Sequence, residues 1–414
     1  MALSTADIQA VYSLLSNALS TDDSIRKPAE LSLSQCESRP GFCSCLFEII
    51  AARDLVSQGE IRLMASVYFK NSVTRYWRKR RDSLCIGNDE KIHLRNKLMS
   101  HNREENPKIA LLLAVLVSKI ARTDYPKEWP DLFSNLAQQI QSTDNLAAHR
   151  GFMILLRTLK ELESKRLNSD QRIFSEIASQ LFDYCWKHWQ SDVQSILQNF
   201  SALSQCSTAN SLSGQMDDFF LVCERWFMCT KIIRHLVISG HRSDVLDGVE
   251  VVCPVKEVCP VILNAVQMFL PYYSSFPEGQ PKLWEFVKKV STKLMKILVA
   301  VQARHPYSFG DKDILGPMTD FCLNKIVNPD PAILSFRSFL IQCMIMVKST
   351  LECKVYKPSS TGRVIGNSLT LEQRKTNISN NISELLSTMF SSERVILVCN
   401  VLIRRYCVGF FFIL

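Results

Sequence analysis

The sequence predicts an all-α protein built as a linear stack of helix pairs. Three observations predict it. Apolar residues recur at three- and four-residue spacing through almost the whole chain, and hardly any segment alternates as a strand does. Short breaks rich in Pro, Gly, Asp or Asn separate these patterns. The patterns group into roughly eight pairs, about forty to sixty residues apart, against about forty to forty-seven residues for HEAT and armadillo units. The expected architecture is a right-handed α-α superhelical solenoid of HEAT/ARM-type repeats, in which each pair buries its face on its neighbours.

The elements follow in order. The first helix is expected over about Asp7 to Leu19, with Ile8, Val11, Leu14 and Leu15 on one face. Thr21 to Ser24 break it and offer capping oxygens to the next helix, in whose first turn Pro28 is tolerated. Arg39-Pro40-Gly41 is a turn, and Phe42 to Arg53 is helical. Glu60 to Arg81 reads as one helix with a stripe at Ile61, Ala65, Tyr68, Phe69, Ser72 and Tyr76, interrupted by Lys70-Asn71. Further helices run to Ser100, from Pro107, over Leu132 to Ile140, over His149 to Lys165 and over Ser169 to about Leu197. Phe200 to Gln215 is Ser-rich and reads as an exposed loop. Later stripes cover Phe219 to Ile233, the stretch from Pro254 to Pro271, Leu283 to Leu298, Ile314 to Val327, Ile333 to Val347 and Leu371 to Phe390. Four segments are expected: 1–104, 105–352, a polar insertion at 353–370, and a last incomplete pair at 371–414.

The 414 residues are 47% hydrophobic and 21% charged, which excludes global disorder. The start, Met1 to Leu15, has no basic n-region and no cleavage site, so no secretory signal is expected. The 15 Cys are then reduced and serve as small apolar core residues. Cys43 and Cys45 lie too close for a tetrahedral metal pair, and Cys185 and His188 have no partners at ligand spacing; no metal is expected. No stretch reaches the uncharged apolar length of a spanning helix, because Arg404 and Arg405 interrupt Val395 to Leu414. The net charge of +9 suits an anionic partner without choosing one. No phosphate-binding loop, nucleophile elbow or paired-carboxylate pattern occurs, so no catalytic residue, cofactor or small-molecule substrate is expected.

Several runs resemble the importin-beta N-terminal domain: Ala29 to Leu31, Pro40 to Phe42, Ile61 to Asn71, Tyr76 to Arg78 and Leu94 to Leu98. Ile120 to Leu132 is similar to the fourth-repeat junction of karyopherins, and Ser164 to Leu167 with Cys399 to Tyr406 resembles the importin-eleven branch. The resemblance implies a nuclear transport receptor that binds Ran in its GTP form through its N-terminal repeats. It also implies protein cargo, nucleoporins, and shuttling between cytoplasm and nucleus. Members of that superfamily are longer, which implies a C-terminally truncated form with an unpaired apolar tail from Cys407.

The resemblance puts Lys70 and Asn71 where the superfamily keeps a Lys-Asn pair, making them candidate GTPase contacts; the plain alternative is a helix-interior pair met by a neighbouring helix. Arg75, Arg78, Lys79, Arg80 and Arg81 are candidate contacts to an anionic partner, with Tyr76 and Trp77 interleaved as in a nucleic-acid patch. The favoured reading is cations complementing a helix C-terminus. Trp129, between prolines, is read as a packing anchor. The insertion carries Lys354, Lys357 and Arg363, so an acidic-loop contact to Ran does not carry over. Exportin, static HEAT scaffold and nucleic-acid binder are the rival functions.

Overall fold

A computed structural model describes residues 5–52, 58–78, 85–205, 213–246, 252–276, 281–328, 330–358 and 369–404. Among them the chain is helical with no strand. Two compact units divide it: Met1–Gln171 with Ser213–Ile232, and Arg172–Leu212 with Ile233–Leu414.

The first unit holds α1 (Thr5–Ala18), α2 (Asp23–Cys36), α3 (Phe42–Ala51), α4 (Gly59–Tyr76), α5 (Asn88–Ser100), α6 (Pro107–Asp124), α7 (Leu132–Ile140) and α8 (Asn145–Glu163). Successive helices pack as pairs, α1 on α2, α3 on α4 and α7 on α8, while α6 is flanked by α4 and α8. Short connections make the members of each pair antiparallel. Local chemistry sets the ends. Asp22 caps α2 by accepting from Ser24 N at 2.8 Å, and Asn106 caps α6 from Lys108 N at 3.0 Å. Gly41 has φ 86°, a left-handed conformation that favours glycine, and so turns the chain into α3. The bare N-terminus of α3 is met by Glu90, which accepts from Gly41 N at 2.9 Å and from Ser44 Oγ at 3.0 Å.

The helices α9 (Asn168–Gln205) and α10 (Ser213–Ser239) each contribute to both units. The second unit continues with α11 (Cys253–Phe269), α12 (Tyr272–Ser275), α13 (Pro281–Arg304), α14 (Pro306–Phe309), α15 (Lys312–Val327), α16 (Pro331–Ser335), α17 (Arg337–Glu352), a 3-10 turn at Lys354–Tyr356, α18 (Leu371–Met389) and α19 (Ser392–Leu402). Here α13 lies against α17, and α15 touches α11, α17, α18 and α19. An aromatic cluster forms the core: Phe200 meets Phe269, Tyr272, Phe276 and Phe286 edge-on at 5.1–6.1 Å. Cys253–Ser275 is long and apolar enough by composition to span a bilayer, but half of it is buried within this unit, as in a core helix.

The expected helices are present, with four adjustments. Pro28 lies inside α2 as its sixth residue, and not in the first turn. The helix from Glu60 ends at Tyr76, before Trp77 and Arg78, and Lys79 to Arg81 lie outside the described residues. Its buried face is Arg62, Ala65, Ser66, Phe69, Ser72 and Val73, rotated from the expected stripe because Ile61, Tyr68 and Tyr76 are only half-buried. Phe200 is not in a loop: α9 continues to Gln205, and Phe200 is fully buried. Burial of one aromatic ring outweighs the weak helix preference of the serines around it. Residues 359–368 and 405–414, in the polar insertion and the tail, lie outside the described residues.

The cysteines at positions 43, 45, 185, 223, 229, 259, 322 and 343 are buried. Burial pushes the Cys45 thiol up to about 11 and that of Cys185 to about 12, and raises Cys43 and Cys259 further. Such thiols stay protonated and inert.

Candidate functional site

Packing one face of α4 against its neighbours turns the opposite face outward. Val67 and Thr74 on that face are exposed, and Lys70 and Asn71 between them are half-buried. They recur three and four residues apart, so they form one line along the helix. The Lys-Asn interruption in the apolar stripe is therefore the place where the outward line passes the middle of α4. Lys70 extends an ammonium from this line, and Asn71 offers both a donor and an acceptor.

Buried charge fixes the position of α4. Arg62, 4% exposed, donates to the Ile50 carbonyl at 2.9 and 2.7 Å and to Glu104 Oε2 at 2.6 Å. Glu104, 3% exposed, also meets His101 Nε2 at 2.9 Å and accepts from Asn106 N at 2.9 Å. Burial pushes the Glu104 carboxyl up, but the His101 and Asn106 hydrogen bonds and the Arg62 charge outweigh it and hold it below the usual carboxylate range. Arg150 of α8 donates to the Glu104 carbonyl at 2.8 Å. One carboxylate residue between α5 and α6 thus ties α4, through Arg62, to α8.

A second buried node joins the far ends. Trp77 Nε1 donates to Asp124 Oδ1 at 2.9 Å, and Arg95 donates to Asp124 Oδ2 at 2.7 Å. Trp77 is 3% exposed and offers no face for base stacking. Trp129 is also buried, in accord with its reading as an anchor.

The C-terminal ends of these helices are cationic. Arg78 is exposed beyond α4. Lys119 of α6 reaches Glu161 of α8 at 2.5 Å, and Arg122 donates to the Glu161 carbonyl at 2.6 Å. Arg157 is half-buried and Lys160 exposed on α8. Arg75 pairs with Glu37 at the end of α2, so its charge is already met within the unit. The outward faces of α4, α6 and α8 therefore offer apolar Val67 and Leu111 and, toward the C-terminal ends, the exposed cations Arg78 and Lys160, while Lys119 and Arg122, like Arg75, already meet a carboxylate within the unit. Such a surface is suited electrostatically to an anionic protein face.

The sequence points to Lys70, Asn71 and the cations Arg75 and Arg78 to Arg81, and it does not mark Arg62, Arg95, Glu104, Asp124 or Arg150. A buried arginine on a helix has the same letters as a surface one, and its partners lie more than forty residues away in two of the three cases. No local signal marks them.

Residues 29–102 match the family model of the importin-beta N-terminal domain. Human Importin-11 is 28% identical over 354 residues, covering 84% of this chain and 34% of its own length. Zebrafish Exportin-2 is 26% identical over 221 residues, half of this chain and 22% of its own length. Among solved structures, Lph2 of S. cerevisiae, described as a bidirectional nuclear transport receptor, superposes with a TM-score of 0.67 at 21% identity over 95% of this chain and 36% of its own. The chain spans about a third of the length of the curated relatives it matches.

Proposed function

We propose, from the premise that this chain belongs to the importin-beta superfamily, that it acts as a nuclear transport receptor and binds Ran in its GTP form through the outward faces of α4, α6 and α8. The observation that carries the reading is the importin-beta N-terminal domain over residues 29–102, whose α4 turns Lys70 and Asn71 outward. Lys70 meets a carboxylate of the GTPase and Asn71 bonds its backbone. The cations at the helix C-terminal ends steer the encounter.

The proposed mechanism is linkage. Cargo and the GTPase bind one receptor with opposing preference, and a thousandfold release factor corresponds to about 4 kcal/mol of coupling. Repeats that touch mainly their neighbours let two ligands compete through curvature. For nucleoporins, a groove of about 630 Å³ in the second unit has Leu270, Pro271, Phe321 and Ile333 among its lining residues and Asp320, Asn324, Lys325 and Asp330 beside them, room for more than one apolar side chain.

Calorimetry of this chain with Ran in each nucleotide form tests the reading. The GTP form binds and the GDP form does not, and Lys70→Glu with Asn71→Ala weakens binding by about tenfold or more. Equal affinity for the two forms identifies a static scaffold instead. The likeness to Exportin-2 favours one second reading, an exportin in which cargo and the GTPase bind together. Pull-down of cargo with and without RanGTP separates them by sign.

A further inference from the structure

We propose that the outward face of α13 and α17, in the second unit, docks an acidic amphipathic segment of a partner protein. The charge distribution points there first. Helix α13 carries Lys282, Lys288, Lys289, Lys293, Lys296 and Arg304 against Glu285 alone. Helix α17 adds Arg337 and Lys348 against Glu352, and the turn after it adds Lys354 and Lys357. These two helices and one turn hold a cationic excess that approaches the +9 of the whole chain.

Geometry places that charge on one surface. The two helices lie side by side. Thr292 and Ser338 hydroxyls are 3.2 Å apart, and Ser349 donates to Gln302 about three turns further along. This register sets Lys296 about one turn beyond Thr292 on α13, level with Ile341 on α17. Lys289, Lys296, Arg337 and Lys348 are exposed. Among them stand bare aliphatic side chains: Ile341 is 49% exposed, Ile345 38% and Leu351 52%. The two carboxylates sit at opposite ends, Glu285 beside Lys288 at 3.2 Å and Lys289 at 3.8 Å, and Glu352 beside Lys348 at 3.8 Å; these are solvent-exposed pairs that a ligand carboxylate can share, and Lys296 has none among the described residues. Neither helix has an Asp or Glu in between.

A ligand complementary to this face presents aliphatic residues at helical spacing with carboxylates beside them. The apolar residues take Ile341 and Ile345 out of water, and the carboxylates meet Lys289, Lys296 and Lys348. Nucleic acid fits less well. Base stacking needs exposed aromatic faces, and the exposed apolar residues here are aliphatic; Trp284 is half-buried, with Lys288 Nζ over its ring at 4.2 Å. The inference concerns a different unit from the GTPase reading and does not rest on it.

The test uses a fluorescent synthetic helix-forming peptide with Leu at every third or fourth position and Glu between, titrated into the full chain and followed by anisotropy. Binding is expected, and Lys289→Glu with Lys296→Glu and Lys348→Glu weakens it by about tenfold or more. Ile341→Asp, at an exposed position, weakens it comparably; circular dichroism melts confirm that both variants fold. Three results overturn the proposal: no binding of the Glu peptide, unchanged binding by Ile341→Asp, or tighter binding of a single-stranded oligonucleotide that displaces the peptide.

Discussion

The two units bury their polar groups in different ways. The first secures its helices with buried charge: Arg62 and Arg150 converge on the residue Glu104, and Arg95 and Trp77 converge on Asp124. The second relies on rings. Phe200 sits within an aromatic cluster, and Tyr273 stacks on Phe336 at 4.5 Å. Its buried His305 is kept neutral, donating Nε2–H to the Val237 carbonyl at 3.1 Å. The difference teaches what each unit can tolerate. Charge networks are directional and fail when one member is lost, whereas aromatic clusters are graded by area and volume.

The largest expected effects break the two units separately. Glu104→Ala leaves Arg62 buried without its carboxylate and is expected to destabilise the first unit by about 3–5 kcal/mol. Amide hydrogen exchange read by mass spectrometry should quicken in α4, α6 and α8 while α11 to α17 keep their protection. Phe200→Ala is expected to cost the second unit about 3–5 kcal/mol and to give the mirror-image pattern. If either variant loosens both units equally, the contrast drawn here is wrong.

Mild acid gives the smallest effect and the sharpest discrimination. Burial depresses the His305 pKa below its ordinary 6.5; the Val237 hydrogen bond and Asp244 oppose the shift, and Arg304 and His241 add to it. The unfolded chain then takes the proton first, so stability from this group is complete above pH 6.5 and declines as pH falls below it. Glu104 has the opposite situation. Its carboxyl is held below the ordinary 4.5, so its contribution is complete above pH 4.5 and lost only as pH falls through the lower folded value. Between pH 6.5 and 4.5, exchange in α13 and α14 should rise while the Glu104 contribution to α4 and α8 is unaffected. His305→Gln should reduce the response of the second unit, leaving the part due to His241, whose pKa burial also lowers.

Most of the helices were legible because an array of amphipathic pairs repeats its apolar spacing. The exceptions have physical causes. Pro28 and Pro260 lie inside α2 and α11, where tertiary packing overrides the local penalty. The serines after Phe200 suggested a loop, yet Ser204 bonds back to the Ser201 carbonyl at 2.9 Å and the helix continues. Of the candidate site, the spacing that sets Lys70 and Asn71 beside Val67 and Thr74 on α4 follows from helical periodicity, and the two residues are half-buried there. The charge network beneath them does not, because it exists only once separate pairs are stacked in register. Trp77 shows the same gap: in the sequence it stands among cations as if to stack on a base, and in the fold it is sealed under Asp124.

Repeat arrays are commonly treated as chains of units coupled only to the next one, which allows them to unravel from an end. The Glu104 residue alters that expectation for the first unit. Its carboxylate holds Arg62 of the second pair and His101 of the third, and its main-chain carbonyl holds Arg150 of the fourth, so none of these pairs can open without breaking a hydrogen bond to the same buried residue. The statistical consequence is a large coupling constant across three repeats. That stretch should melt as a single block, and a partner bound anywhere on its outer surface should protect all of it at once.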